Sequence, residues 1–255
     1  MNSYEKWIFK YKKSEDADCR IFFFHHAGGT IDIYRNWGKL LLDKADICLV
    51  QLPMRANRIK EELPDSIEEL ANDFIEDCIE LFDKPFVIFG HSMGAQLAYE
   101  AARKLTLKGI DPLALFVSGC SSPNINSKIF DYENALYADE DILLEILKSY
   151  DHMLDNEVLK DRDFLDYYLP IVRKDFYLSD SYKKEKKKTL NCDVHILYGE
   201  NDIHVKKDYL RDWKEYTIKD SIYTCYDGNH FYLEEEDNRL DICNRINEVV
   251  KKVIE

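Results

Sequence analysis

Apolar residues along this chain fall into two rhythms. Short continuous runs occur at residues 20–24, 46–50, 86–89, 115–119, 194–198 and 222–226. Runs of this length, rich in Phe, Ile, Val and Tyr, predict strands buried on both faces. Trp7, Phe9 and Tyr11 fall on alternate positions and predict an opening strand. Between the runs a second rhythm appears. Ile67, Leu70, Ala71, Phe74, Ile75, Cys78, Ile79 and Phe82 recur at helical spacing behind Ser66 and Glu69, a capping-box pair. Residues 95–102 read as the start of another helix, and Ile242, Ile246, Val249 and Val253 repeat the pattern near the C-terminus. Strands alternating with helices predict an α/β fold, a mostly parallel twisted sheet covered by helices on both faces. There is no internal repeat and no low-complexity segment.

The run at 86–89 leads directly into Gly90-His91-Ser92-Met93-Gly94 and then into the helical residues from Ala95. A strand, a tight turn with glycines flanking a serine, and a helix describe a nucleophile elbow. A serine hydroxyl needs a base, and the base needs an orienting group. Asp202 follows the strand at 194–198, and His230 follows the strand at 222–226. The chain order Ser92, Asp202, His230 is that of α/β-hydrolases. His204 competes as the base, and Glu200 and Asp227 compete as the acid. His195 is expected inside a strand as a packing residue, and His91 is expected to point away from the site. Two backbone N–H groups are needed for the oxyanion. Met93, after the nucleophile, offers one. Ala27, in the loop His25-His26-Ala27-Gly28-Gly29-Thr30, offers the other, unless the glycines make only a plain turn.

The stretch between Gly119 and Val194 is too long for a simple crossover. It contains the helix-compatible segments 142–147 and 164–169. We expect one domain over residues 1–255 with a helical lid insertion at about 124–182 above Ser92, either mobile or a rigid cap.

Several blocks together resemble a known family, the stand-alone type II thioesterases of nonribosomal peptide and polyketide biosynthesis, within the α/β-hydrolase superfamily. They are residues 24–29, 51–58 (Gln-Leu-Pro-Met-Arg-Ala-Asn-Arg), 89–95, 115–119, 169–176 (Leu-Pro-Ile-Val-Arg-Lys-Asp-Phe), 198–202 and 228–231. The resemblance implies a triad of Ser92, Asp202 and His230, with Ala27 and Met93 donating to the oxyanion. It implies acyl thioesters on the phosphopantetheine arm of an acyl or peptidyl carrier protein as substrate, an editing role, and a helical lid that moves. Two positions depart from the family pattern. His25-His26 stands where Pro and an aromatic residue are usual, and Met54 stands where Gly is usual before Arg55. A small-molecule carboxylesterase would use the same triad, and an inactive hydrolase-fold binding module would keep only the scaffold.

Composition narrows the partners. The net charge of −14 argues against nucleic acid and anionic membranes. No apolar run reaches the ~18 residues of a membrane span. Seven irregularly spaced cysteines read as reduced core residues of a cytoplasmic protein, mostly in apolar contexts such as Cys48, Cys78 and Cys225, without metal-ligand spacing. No metal or cofactor is expected, and a monomer is expected. The lysine-rich stretch at 183–188 is either a solvated segment or a patch for an acidic carrier protein.

Overall fold

The computed structural model describes residues 3–12, 17–125, 129–130, 132–150 and 158–254. Seven strands form one sheet: β1 (Ile8–Lys12), β2 (Cys19–Phe24), β3 (Ala45–Val50), β4 (Phe86–His91), β5 (Ala114–Ser118), β6 (Asp193–Gly199) and β7 (Ser221–Tyr226). Their order is β1-β3-β2-β4-β5-β6-β7. Only β1 runs antiparallel, against β3, and every other neighbouring pair is parallel. Six helices accompany them among the described residues: α1 (Ile67–Cys78), α2 (Met93–Leu107), α3 (Tyr132–Tyr137), α4 (Glu140–Ser149), α5 (Arg162–Ser181) and α6 (Glu236–Ile254).

Alternate residues of one strand feed two separate cores, as the two-residue side-chain period requires. Phe22 and Phe24 of β2 pack with Phe74 of α1 and Leu97 of α2. Ile21 and Phe23 point to the other face, against Phe89, Phe116 and the α6 residues Ile242 and Ile246. Because β2 to β7 are parallel, their C-terminal ends share one edge, and the loops leaving that edge are where ligands meet such sheets. The turn at Ser92 and the loops carrying Ala27, Asp202 and His230 all lie there.

Three local expectations need correction. In the opening segment the buried residues are Trp7 and Ile8, whereas Phe9 is half exposed, because one face of the edge strand β1 is open. Cys225 is exposed on the other edge strand, β7. The helical face beginning at Ile67 holds through Cys78 and then tightens into a 3-10 turn over Ile79–Phe82, leaving Ile79 outside. The cap itself forms: Ser66 Oγ accepts from Glu69 N at 3.1 Å, and the Glu69 carboxylate accepts from Asp65 N at 3.2 Å.

Between β5 and β6 the insertion contributes α3, α4 and α5. Helix α5 is part of the core, with Leu169, Val172, Phe176 and Leu178 buried. Gln96 of α2 donates to Ser179 O, and the Asp180 carboxylate accepts from the amides of Ile129 and Phe130. Helix α4 buries only Leu143 and Leu147. The insertion therefore has a fixed base and a lightly held outer helix. The lysines at 183–188 lie outside any helix or strand, where Lys184 pairs with Glu68 and Lys186 with Asp212.

Candidate active site

Ser92 occupies the bend between β4 and α2 with φ 56° and ψ −124°. A non-glycine residue there is strained by roughly 1–3 kcal/mol, held by its surroundings. The flanking glycines make the bend possible. A Cβ on Gly90 would run into the Gly94 carbonyl, and one on Gly94 would run into the Phe24 carbonyl. Ser92 N donates to Ser118 O at 2.8 Å. Beneath the bend, the Ser118 hydroxyl bonds His91 Nδ1 at 2.9 Å and the Tyr232 hydroxyl at 2.5 Å. His91 is buried, which pushes its imidazole well below the usual range and keeps it neutral. Its ring lies 4.9 Å from that of His230 and supports it from behind.

Asp202 and His230 meet across 2.7 Å, Oδ2 to Nδ1, and both are buried. The other carboxylate oxygen accepts from the amides of His204 at 2.8 Å and Val205 at 3.2 Å. Burial raises the Asp202 pKa, but the His230 hydrogen bond and charge, with the His204 amide, outweigh it and hold the carboxyl below its usual value. The carboxylate is therefore ionised and Nδ1 must carry the proton. That leaves His230 Nε2 as an acceptor; it is buried and has no hydrogen-bond partner among the described residues. The Ser92 hydroxyl is thus beside His230, lining the same space, without yet bonding it. Such bonds commonly close only with substrate bound. Of the competitors, His204 lies against Tyr150 with ring centres 3.6 Å apart, while Glu200 and Asp227 are exposed. His195 packs on Phe116 inside the sheet, 4.2 Å between rings.

Ala27 lines a constriction of about 10 Å³ together with Ser92 and His230. Met93, the first residue of α2, is buried. The loop carrying Ala27 is fixed by an ion pair whose two residues lie in blocks of the family resemblance but to which the sequence reading gave no role. Asp175 of α5 accepts from Gly28 N at 2.7 Å and takes two bonds from Arg55, each 2.7 Å. Arg55 also donates to Gly29 O and Pro53 O. The side chains of this pair are 1% and 0% exposed, so neither charge has water to fall back on. Three segments are pinned at one point: the loop after β2, the loop after β3, and α5. One signal in the sequence could have exposed it. Asp175 sits on the apolar stripe of α5 with Tyr168 and Val172, and a carboxylate there requires a buried partner. Beside it, Met54 adopts φ 63°, a left-handed conformation that suits the glycine usual in the family.

Two larger spaces adjoin the constriction. One of about 510 Å³ extends over the ends of β5 and β6 and is lined by Ser92, His230 and several hydroxyls. The other, about 310 Å³, lies behind His26 and is lined by Phe164, Tyr167, Tyr168 and Ile171. Tyr150, at the end of α4, covers the site, its ring edge-on to His230 at 5.0 Å. Among the described residues no group of three or more His, Cys, Asp or Glu side chains is arranged to hold a metal ion. No described helix is long and apolar enough to cross a membrane.

Several known proteins are similar to this chain over most of its length. The gramicidin S biosynthesis protein GrsT of Aneurinibacillus migulanus is 30% identical over 231 residues, 90% of this chain and 89% of that protein. The linear gramicidin dehydrogenase LgrE of Brevibacillus parabrevis is 30% identical over 241 residues, 92% of this chain and 89% of its own. Despite that relative's name, the present sequence has no Gly-x-Gly-x-x-Gly turn for a dinucleotide. The structure of the type II thioesterase BorB from the borrelidin cluster superposes with a TM-score of 0.86 at 29% identity, covering 96% of this chain and 98% of BorB. RedJ, a thioesterase of the prodiginine pathway in Streptomyces coelicolor, gives 0.82 at 28% identity, covering 91% and 86%. The sheet and its helices are therefore an α/β-hydrolase fold, as the order of Ser92, Asp202 and His230 and the family resemblance led us to expect. A thioesterase-domain family model matches residues 19–250, nearly the whole sequence, and the chain belongs to the thioesterase family.

Proposed function

We propose that this enzyme is a stand-alone editing thioesterase that removes acyl groups from the phosphopantetheine arm of an acyl or peptidyl carrier protein. The observation that carries the reading is the 2.7 Å contact between Asp202 and His230 beside a serine held in a strained elbow. Names such as type II thioesterase and gramicidin S biosynthesis protein, borne by its relatives, support the class of substrate.

In this reading His230 Nε2 takes the Ser92 proton as Oγ adds to the thioester carbonyl. Asp202 holds the imidazole through Nδ1 and balances its positive charge. The amides of Ala27 and Met93 donate to the oxyanion, a contribution of roughly 3–4 kcal/mol per donor in comparable sites. Collapse expels the arm as a thiolate, an easy leaving group with a thiol pKa near ~8.5, which takes the proton from His230 Nε2, departs as the free thiol and leaves the imidazole neutral again. Water then loses a proton to His230 and attacks the ester on Ser92. His230 returns the proton to Oγ, releasing the acid. Side chains and amides supply each step, so the reaction as proposed requires no metal or cofactor. The insertion serves as the lid, with α4 and Tyr150 moving while α5 stays with the core.

Six of the seven cysteines are buried free thiols, and burial pushes several, Cys19 and Cys120 among them, up to about 12. Unreactive thiols suit the cytoplasm, where we place the enzyme. We further propose that it works as a monomer and binds neither nucleic acid nor membranes, in line with its charge. The test compares turnover of an acylated carrier protein, the matching acyl-pantetheine and a simple oxygen ester. Preference for the carrier-bound thioester is expected. Preference for the oxygen ester would make the protein a carboxylesterase, and absence of any turnover would leave only a binding module.

A further inference from the structure

His204, the rival base, touches both the triad and the insertion. Its backbone amide donates to Asp202 Oδ1 at 2.8 Å, a contact that any residue except proline could make there. Its half-buried ring makes two others. Nε2 lies 3.2 Å from Ser149 O, and a carbonyl only accepts, so Nε2 carries the proton and donates. Ser149 closes α4, where the last carbonyls have no partner inside the helix. The face of the same ring lies on Tyr150, with centres 3.6 Å apart and planes 11° from parallel. Tyr150 in turn stands edge-on to His230 at 5.0 Å and lines the constriction beside Ser92. Other attachments of α4 are slight. The helix buries only Leu143 and Leu147, and the Glu140–Arg162 pair at its start is exposed, where such pairs contribute little.

We propose that His204 is a positioning residue whose imidazole fastens the end of α4 and seats Tyr150 against His230, so that closing the insertion and orienting the base are one event. This rests on the reading above, in which Ser92 is acylated beneath a moving α4, and adds to it the side chain that does the fastening. His91 supports His230 from beneath the elbow, and Tyr150 is the support that the insertion supplies. When α4 lifts, His230 loses that second support and water reaches the constriction. Water beside a buried hydrogen bond raises the local dielectric and weakens it, here the 2.7 Å bond from Nδ1 to Asp202 that aims Nε2. The stacked ring pair and the bond to Ser149 O are each worth about fivefold in the closing equilibrium.

Single-turnover acylation of Ser92 by an acyl-pantetheine, and by the nitrophenyl ester of the same acid, tests the assignment. His204→Ala removes both ring contacts and is expected to slow acylation at saturating substrate by about tenfold or more. His204→Phe keeps the ring stack and His204→Gln keeps a donor, so each is expected to recover part of the rate. Thermal unfolding of all three checks the fold, and these two carry the comparison if alanine destabilises it. In a Tyr150→Ala background, His204→Ala is expected to cost less than about twofold, because no ring is left to seat. A readout independent of substrate is the low-field NMR signal of the proton on His230 Nδ1. It is expected to be sharp in wild type and broadened by exchange with water in His204→Ala and in Tyr150→Ala. The inference is overturned if His204→Ala keeps the wild-type rate and a sharp signal. It is also overturned if His204→Ala slows wild type and Tyr150→Ala by the same factor, since the two side chains would then act independently. A wild type acylated by the nitrophenyl ester but by no thioester would instead refute the thioesterase reading, and the same comparison would stand on the ester.

Discussion

Replacing Asp175 by alanine probes the geometry above at the point where the most is concentrated. The carboxylate accepts two bonds from Arg55 and one from the Gly28 amide, each 2.7 Å. Its loss leaves a guanidinium buried and uncompensated, which costs about 3–5 kcal/mol. The stranded Gly28 amide adds about 1–3 kcal/mol. For a chain of this size each kcal/mol lowers Tm by about 2–4 °C, so Asp175→Ala is expected to unfold ~10 °C or more below wild type. Activity should suffer separately, because Gly28 follows Ala27 and the loop loses its anchor. A double variant separates the two effects. Arg55→Met with Asp175→Leu removes both charges at similar volume and should recover much of the Tm, since such pairs exchange for apolar groups at little cost. It should not recover kcat, because Gly28 still lacks its acceptor. Differential scanning calorimetry and single-turnover hydrolysis measure the two quantities. A fall in Tm below about 2 °C for Asp175→Ala, or a double variant with full kcat, would refute the reasoning.

Other expectations are more local. At Met54, glycine and alanine remove the same side chain, but only glycine accepts φ 63° freely; Met54→Gly should unfold ~2–4 °C above Met54→Ala, reflecting about 1 kcal/mol. The same comparison at Ser92, with φ 56°, should again favour glycine in thermal unfolding, while both variants lose hydrolysis by ~10⁴-fold or more. Burial lowers His195 to about 4 and His25 to about 3. A histidine kept neutral in the fold binds its proton more readily when unfolded, so stability is complete above the ordinary value near ~6.5 and falls as pH drops towards these lowered values. His195→Phe, preserving the ring stack on Phe116, should make the decline of Tm between pH 6.5 and 4 shallower. Asp202→Asn should differ most from wild type at neutral pH, with the gap in Tm narrowing as pH falls through the lowered Asp202 value.

What could be read from the sequence follows physical range. The central strands announce themselves because both faces are buried and the apolar runs are continuous. Edge strands are legible as strands, but not in which of their residues they bury, and Phe9 and Cys225 lie exposed on β1 and β7. The turn at Ser92 and the strand-end positions of Asp202 and His230 depend on neighbouring residues, so local pattern finds them. Arg55 and Asp175 stand 120 residues apart, and nothing near either residue names the other. Tyr150 reaches His230 only through the packing of the insertion, and the support His91 gives from behind depends on the bend that buries it.

The chemistry proposed here requires an acyl group to rest on one hydroxyl. Rapid quenching of the enzyme with acyl-pantetheine, followed by mass spectrometry of its peptides, should find the acyl mass on the peptide containing Ser92. That mass should disappear in Ser92→Ala along with release of the acid. Acid released at an undiminished rate by Ser92→Ala, with no acylated peptide in wild type, would contradict it.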